Sequence, residues 1–252
     1  MQLPHIGRIQ AALIRLGISL LLFGLAWLLI RLWWYPDFFF WIDGGWQGLR
    51  LIILADLVLG PLLTYVVFKA GKPGLKFDLG VLAVIQALAF TAGMTVVYLE
   101  RPLALVYVDG AFFSMSGSDY RQAGLEVPAL YEVGANRNSG PPWIQVAIPE
   151  DYEAQSELRL AAMQSGTPLR LLTQAYEPFT ADDSFRQDAF DLDLLKRFDQ
   201  QPLHTLDWRR IHGPLDAYRY YPIGARHGYV FLGFNRETDA LTGVLWTPHP
   251  AE

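Results

Sequence analysis

Three long apolar runs near the N-terminal end constrain the fold of this 252-residue chain more than any other feature. Leu79–Leu99 is 21 residues long and carries no charge, and Leu51–Phe68 is 18 residues long and is interrupted only by Asp56. Leu16–Ile30 has 15 uncharged residues and continues into further apolar residues after a single arginine. A helix needs about 20 apolar residues to cross the hydrocarbon core of a bilayer, and roughly 17–25 are tolerated. The sequence therefore predicts three transmembrane α-helices, at about residues 12–34, 50–68 and 79–99.

The charged residues divide the chain into two parts. The first 99 residues carry seven basic and four acidic side chains, a net charge of +3, whereas the remaining 153 carry 13 basic and 21 acidic ones, a net charge of −8. We therefore predict a membrane domain over residues 1–99 and a polar, acidic domain over residues 100–252. The acidic balance argues against nucleic acid as a partner, because phosphate binding needs clustered Lys and Arg. The chain has no cysteine, which excludes disulfides and thiolate zinc sites.

The loops between the apolar runs predict the orientation in the membrane. Lys69, Lys72 and Lys76 lie in the loop over residues 69–77, whereas the loop over residues 36–49 has two aspartates and no basic residue. Loops rich in Lys and Arg stay in the cytoplasm. The N-terminus and the lysine loop are thus predicted to be cytoplasmic, and the C-terminal domain to be periplasmic if the membrane is a bacterial inner membrane. No small-residue cleavage site follows the first run, so we expect an uncleaved helix rather than a signal peptide.

The C-terminal domain is predicted to be α+β. Predicted strands cover residues 103–108, 143–148, 218–223, 229–235 and 241–246, and the last two are expected to form a hairpin. A helix is predicted to begin at Pro149-Glu150-Asp151 and to end at Gly166, since Pro and acidic residues favour a helix start and Gly a helix end. A second helix is predicted over Asp183–Asp199, with Thr180 as its candidate N-cap.

Asp56 is the residue of the spanning helices that most needs a physical explanation. A carboxylate within a spanning helix costs about 2.5–3.5 kcal/mol to insert, so it is expected to face protein rather than lipid. Arg31 is predicted to lie at a similar depth, near the outer face, and to be close to Asp56. Interhelical polar contact, docking of a partner and catalysis are all open interpretations of this carboxylate.

The Gly60-Pro61 pair follows Asp56 by about one turn. Proline has no N–H to donate to the carbonyl of Leu57, which therefore needs another partner. Counted from the inner ends of their helices, Gln86 and Pro61 lie at the same depth, so Gln86 is predicted to reach this turn. The candidate partner-binding residues are Asp56, Gly60, Pro61, Gln86 and Arg31.

The sequence carries no recognisable catalytic, cofactor or metal motif. The five histidines, His5, His204, His212, His227 and His249, lack metal-ligand spacing. The acidic stretch over residues 182–193 lacks the glycine and terminal glutamate of a calcium loop and is interpreted as a solvated helix face. The tryptophans Trp143, Trp208 and Trp246 are expected to be core aromatics. We therefore expect no enzymatic activity, no cofactor, no metal and no small-molecule substrate.

Several segments together resemble one protein family. They are Gly45-Trp46-Gln47-Gly48-Leu49, Asp56-Leu57-Val58-Leu59-Gly60-Pro61, residues 68–78 and Arg101-Pro102. In this order around the three predicted helices, they are similar to the TfpX/TfpZ group of type IV pilin accessory proteins over about residues 35–110. The resemblance implies an inner-membrane protein that assists pilin stability or pilus assembly, with a pilin subunit and the lipid bilayer as partners.

Three classes of function compete. An accessory or chaperone-like protein for pilin is favoured by the resemblance. A membrane-bound pilin-modifying enzyme would use Asp56, or Asp37 and Asp43 of the outer loop, as catalytic groups. A periplasmic sensor would need a further membrane subunit, because the predicted cytoplasmic segments are too short for an output domain.

The predicted topology can be tested with alkaline phosphatase fusions, because this enzyme is active only outside the cytoplasm. A fusion after Glu252 should be active and a fusion after Lys72 should be inactive. The reverse pattern of activities would contradict the predicted orientation.

Overall fold

The computed structural model describes residues 7–70, 72–134, 140–198, 203–227 and 229–247. The chain divides into two compact units, Met1–Arg101 and Pro102–Glu252. The first unit is helical, and the second is built on a β-sheet.

Within the described residues, the first unit has three helices that are long and apolar enough to cross a membrane. They are α1 (Arg8–Trp34, 27 residues), α3 (Gly45–Val67, 23 residues) and α4 (Leu75–Leu99, 25 residues), and a short helix α2 (Phe39–Ile42) precedes α3. All three begin earlier than the apolar runs predict. The reason for α3 and α4 is that Gly44 and Gly74, with positive φ angles of 97° and 83°, end the preceding loops and let the helices start directly after them.

The middle of α3 departs from regular α-helical geometry. Ile53–Val58 is π-helical and lies between the α-helical stretches Gly45–Ile52 and Leu59–Val67. At its end, the N–H of Leu59 bonds to the carbonyl of Leu54, five residues earlier. Such π-helical turns are uncommon and frequently occur at functional sites.

The connection between α1 and α3 is rich in aromatic residues. The buried Tyr35 hydroxyl donates a 2.9 Å hydrogen bond to the carbonyl of Val97 in α4. Trp34 packs edge-on against Tyr98, with 5.2 Å between the ring centroids. Trp33 is 78% exposed, as expected for an aromatic residue in an interfacial belt. Aromatic contacts therefore join α1 to the C-terminal end of α4.

The second unit contains a mixed sheet with the strand order β4-β3-β1-β2-β5-β6-β7 among the described residues. The strands are β1 (Pro102–Val108), β2 (Ala111–Ser116), β3 (Trp143–Val146), β4 (Tyr176–Pro178), β5 (Tyr218–Gly224), β6 (Tyr229–Asn235) and β7 (Leu241–Thr247). The pairs β1–β3 and β2–β5 are parallel, and the other neighbours are antiparallel. The predicted α+β class and the hairpin of the last two strands are confirmed.

β1 and β2 form a hairpin that the sequence analysis does not predict. Asp109 and Gly110 connect the two strands, and both have positive φ angles, 50° and 74°. Positive φ at both central residues is the requirement of a type I′ turn, for which Asp-Gly is a preferred sequence. Val108 and Ala111 are paired directly across this turn.

The helices of the second unit are α5 (Gly117–Gln122), α6 (Leu130–Val133), α7 (Tyr152–Ser165), α8 (Asp183–Gln187), α9 (Leu192–Phe198) and α10 (Leu203–His212). α7 agrees with its prediction at both ends. The Asp151 carboxylate accepts a 2.9 Å hydrogen bond from the N–H of Ala154, and Gly166 follows the helix with a φ of 68°. α10 is not predicted by the sequence analysis.

The single helix predicted over Asp183–Asp199 is wrong, because α8 and α9 are separate helices. Between them, the N–H of Phe190 donates a 2.8 Å hydrogen bond to the carbonyl of Tyr220 in β5, so pairing with the sheet interrupts the helix. Its predicted N-cap is also wrong. Asp182 caps α8 by accepting the N–H of Phe185 at 2.8 Å, whereas the N–H of Thr180 bonds to a glutamine side chain.

Aromatic rings fill the core of the second unit. Phe112 and Phe234 stack nearly parallel with 5.9 Å between their centroids, and Trp143 lies edge-on to Phe112 at 5.3 Å. Trp143 and Trp208 are buried, which confirms them as core aromatics. The side chain of Trp246 lies outside the described part of the chain.

The cap of α7 generates a stability prediction. Asp151→Ala should lower the free energy of unfolding of the second unit by about 0.5–2 kcal/mol, because the N–H of Ala154 loses its acceptor. Glu150→Ala is the matched control, since it removes the neighbouring carboxylate and leaves the cap intact. Denaturant titration followed by circular dichroism measures both variants, and equal losses would contradict the capping role.

Candidate functional site

Asp56 lies near the middle of α3 and forms an ion pair with α1. Its Oδ1 accepts a 2.9 Å hydrogen bond from Nη2 of Arg15, and the residue is only 5% exposed. A carboxylate within a spanning helix is expensive unless a partner compensates its charge. The side chain therefore faces protein, and Arg15 of α1 is that partner.

The predicted proximity of Arg31 to Asp56 is wrong. The Arg31 guanidinium lies instead over the ring of Phe40, 5.9 Å from its centroid. α3 begins at Gly45 rather than near residue 50, which moves Asp56 from near the end of the helix to its middle. Arg15, in the first half of α1, lies at this depth.

A hydroxyl group of α1 donates a hydrogen bond to the backbone of α3, at the π-helical turn. Ser19 is fully buried, and its Oγ donates a 3.0 Å hydrogen bond to the carbonyl oxygen of Asp56. In the five-residue pairing of a π-helix, this carbonyl would face the nitrogen of Pro61, which carries no hydrogen. In α-helical pairing, the carbonyl left without a donor by Pro61 would be that of Leu57. The π-helical turn shifts the backbone pairing by one residue, which explains why Ser19 bonds to the carbonyl of Asp56.

Gln86 of α4 lies against Gly60, at the depth that the sequence predicts. A Cβ atom built on Gly60 would lie 3.1 Å from Gln86 Nε2, 3.5 Å from Ser19 Oγ and 3.6 Å from Arg15 Nε. The absence of a side chain at Gly60 therefore lets polar groups from α1 and α4 approach α3. We call Arg15, Ser19, Asp56 and Gln86 the polar centre.

The polar centre is not fully hydrogen-bonded within the described part of the chain. Arg15 Nε, Asp56 Oδ2 and Gln86 Nε2 are buried and have no hydrogen-bond partner among the described residues. Most buried polar atoms in proteins are paired, and an unpaired one costs about 1–3 kcal/mol. Two donors and one acceptor are therefore available to a further group.

An open cavity of about 260 Å³ lies between α3 and α4, beside the polar centre. It is lined by Leu51, Ile52, Leu54, Ala55, Asp56, Leu59, Gln86, Ala89, Phe90 and Gly93. Ala89 and Gly93 lie one turn apart on α4, and small residues at this spacing let a second helix approach closely. We call this cavity the α3–α4 groove. Its lining is apolar except for Asp56 and Gln86.

The three lysines lie at the opposite end of α3 from the aromatic connection. Lys69 and Lys76 are exposed, and Lys72 Nζ lies 2.5 Å from Oδ2 of Asp78. The predicted loop over residues 69–77 is shorter than expected, because α4 begins at Leu75 and includes Lys76.

The second unit contains an acidic cavity of about 640 Å³ that no sequence pattern predicts. Its carboxylates are those of Asp109, Glu150, Glu177, Asp182 and Asp188. Arg159 neutralises one of them through two 2.7 Å hydrogen bonds to Asp109. Burial and the neighbouring Asp188 carboxylate raise the pKa of the Tyr107 hydroxyl, so this lining group stays protonated. The cavity lies at the carboxyl ends of parallel β1 and β3, a pairing that only the structure reveals.

Acidic residues of the stretch over residues 182–193 also make local hydrogen bonds and ion pairs. Asp182 caps α8, and Asp183 forms a 2.6 Å ion pair with Arg186. Among the described residues, no group of three or more His, Asp or Glu side chains could hold a metal ion. His5, His249 and the side chain of His204 lie outside the described part of the chain.

The ion pair of the polar centre generates a further stability prediction. Arg15→Leu and Asp56→Leu should each destabilise the protein more than the double variant does, because one unpaired buried charge is worse than none. Removing one partner of a buried pair costs about 3–5 kcal/mol. Thermal unfolding in detergent measures the effect, with Arg31→Leu as the control outside the polar centre. Additive losses from the two changes would contradict the pair.

Comparison with known proteins identifies a relative of this chain. No family model matches the chain, and no solved structure matches it. A stretch of 98 residues is 36% identical to the "Fimbrial assembly protein, serogroups C1 and C2" of Dichelobacter nodosus. The matched stretch amounts to 38% of this chain and 71% of that protein. With this identity over more than two thirds of the relative, the chain belongs to the same family as this fimbrial assembly protein.

Proposed function

We propose that this protein is an inner-membrane accessory protein that assists type IV pilus assembly by direct, chaperone-like contact with a pilin subunit. The family relationship to a fimbrial assembly protein supports the role in assembly. The observation that carries the direct contact is the polar centre beside the α3–α4 groove. An ion pair that only joined two helices would be expected to use its hydrogen-bonding atoms, whereas three atoms of this centre have no partner among the described residues.

The α3–α4 groove suits the spanning helix of a pilin subunit. Helices associate in lipid through close packing and hydrogen bonds, because lipid tails are as apolar as the helix surface. The small side chains of Ala89 and Gly93 allow close approach, and Asp56 and Gln86 supply polar atoms at the middle of their helices. Both contributions that association in lipid requires are therefore present on one surface.

The second unit is proposed to contact the globular head of the same subunit. In the proposed topology, the N-terminus and the lysine loop are cytoplasmic and the second unit is periplasmic, where the head of a membrane-held pilin also lies. The region after residue 99 has a net charge of −8, which favours a basic surface on the partner. The more specific assignment to the TfpX/TfpZ group agrees with this arrangement and is part of the proposal.

We further propose that the protein acts by binding rather than by catalysis. One oxygen of the Asp56 carboxylate is engaged by Arg15, and the hydroxyl of Ser19 donates to the backbone carbonyl of the same residue. Of the outer-loop aspartates suggested for a modifying enzyme, Asp43 is 5% exposed, which limits its access to a substrate. These features support a site that receives a helix more than one that carries out a reaction.

The proposal predicts a loss of pili without a loss of pilin transcription. Deleting the gene should lower the number of surface pili and reduce twitching, because the subunit loses its membrane partner. Complementation with Ala89→Leu should restore pili only in part, since the larger side chain fills the α3–α4 groove.

Ala87→Leu is the matched control for the groove. Ala87 lies on the same helix, is exposed, and does not line the groove. Electron microscopy counts the pili, and immunoblots verify equal amounts of both variant proteins. Normal piliation in a deletion strain that has its cognate pilin and no paralogue would reject the accessory role. Equal piliation with the two leucine variants would reject the groove as the contact surface.

A further inference from the structure

The unpartnered atoms of the polar centre define the chemistry of the group that would complete it. Gln86 Nε2 and Arg15 Nε are donors, and Asp56 Oδ2 is an acceptor. Asp56 and Gln86 are 5% and 7% exposed, so nine tenths of each residue is removed from solvent, and both line the α3–α4 groove. A group that enters the groove and reaches these two atoms would meet an acceptor from α3 and a donor from α4.

The charge of the polar centre restricts the group further. Arg15 and Asp56 form a 2.9 Å ion pair and together carry no net charge. A charged side chain entering the groove would lack a counter-charge and would carry the full cost of burial in an apolar environment. A neutral side chain that both donates and accepts hydrogen bonds avoids this cost. Hydroxyl and carboxamide side chains have this property.

The position of the polar centre along the helices sets where such a side chain must lie. Asp56 lies near the middle of the 23-residue α3, and Gln86 lies near the middle of the 25-residue α4. Ala89 and Gly93 continue the groove wall on α4 by one and two turns beyond Gln86. A partner helix packed against these small residues would present its central residue to the polar centre.

We propose that the α3–α4 groove selects a spanning helix that carries a Ser, Thr, Asn or Gln side chain near the middle of the bilayer. That side chain donates to Asp56 Oδ2 and accepts from Gln86 Nε2. The inference rests on the proposed function, in that the groove is taken to receive a helix, and it adds the feature by which the helix is recognised. A helix with only apolar residues at that depth would leave both atoms unpaired.

The test uses the purified full-length protein in phospholipid vesicles and synthetic spanning helices. The helices consist of leucine and alanine, carry a fluorescent acceptor, and differ in a single central residue, Asn or Leu. Interhelical hydrogen bonds in membranes contribute about 0.6–2 kcal/mol, so energy transfer should show about threefold to thirtyfold tighter binding of the Asn helix. Binding that does not differ between the two helices, or no binding of either, would overturn the inference.

Variants of Gln86 show whether the preference arises at the polar centre. Gln86→Leu and Gln86→Met remove a donor that has no partner within the described residues, so both proteins are expected to fold. In each variant, the ratio of the affinities for the Asn and Leu helices should fall toward one. Thr91→Leu, at an exposed position of α4 outside the groove, should leave the preference unchanged. A preference that survives in both Gln86 variants would contradict the inference.

The test separates this inference from the proposed function. An Asn preference together with normal piliation by the Ala89→Leu variant would support the recognition chemistry and reject pilin as the occupant. A loss of pili in the Ala89→Leu variant without an Asn preference would support the contact with pilin and overturn the recognition chemistry.

Discussion

The ion pair between Arg15 and Asp56 is the interaction on which the helical packing of the first unit depends. A carboxylate at the middle of a spanning helix requires compensation, and Arg15 supplies it from the neighbouring helix at 2.9 Å. The pair joins α1 to α3, and Ser19, one turn further along α1, bonds to the carbonyl of Asp56. The π-helical turn and Pro61 leave this carbonyl without a backbone donor, and the Ser19 hydroxyl replaces that donor. The ion pair and the bond from Ser19 therefore both join α1 to the same turn of α3.

The sequence predicted the features that rest on strong local patterns. The three apolar runs correspond to α1, α3 and α4, and the ends of α7 follow from Asp151 and Gly166. The prediction that Arg31 lies close to Asp56 is wrong, because it depends on the depth of both residues in the membrane. Moving the start of α3 back to Gly45 shifts the level of the carboxylate by more than one turn. Depth in a membrane is therefore only as accurate as the helix ends from which it is counted.

Non-local pairing accounts for the other differences. The hairpin of β1 and β2 does have a sequence signal, because Asp109-Gly110 is a preferred pair for a type I′ turn. The break between α8 and α9 has a different origin, because Phe190 forms a β-bridge with Tyr220, thirty residues later in the chain. The acidic cavity likewise depends on the parallel pairing of β1 with β3. The unpartnered atoms of the polar centre depend on contacts among three helices, which no pattern within one helix predicts.

We propose that the α3–α4 groove receives the spanning helix of a pilin subunit. Cysteine crosslinking tests it directly, because the chain has no cysteine of its own. Ala89→Cys would be combined with single cysteines placed along the spanning helix of the subunit, in membranes under mild oxidation. Disulfides with Ala89→Cys are expected to recur every three to four positions of the subunit helix, and Ala87→Cys is expected to form none. Equal crosslinking from both positions, or none from Ala89→Cys, would contradict it.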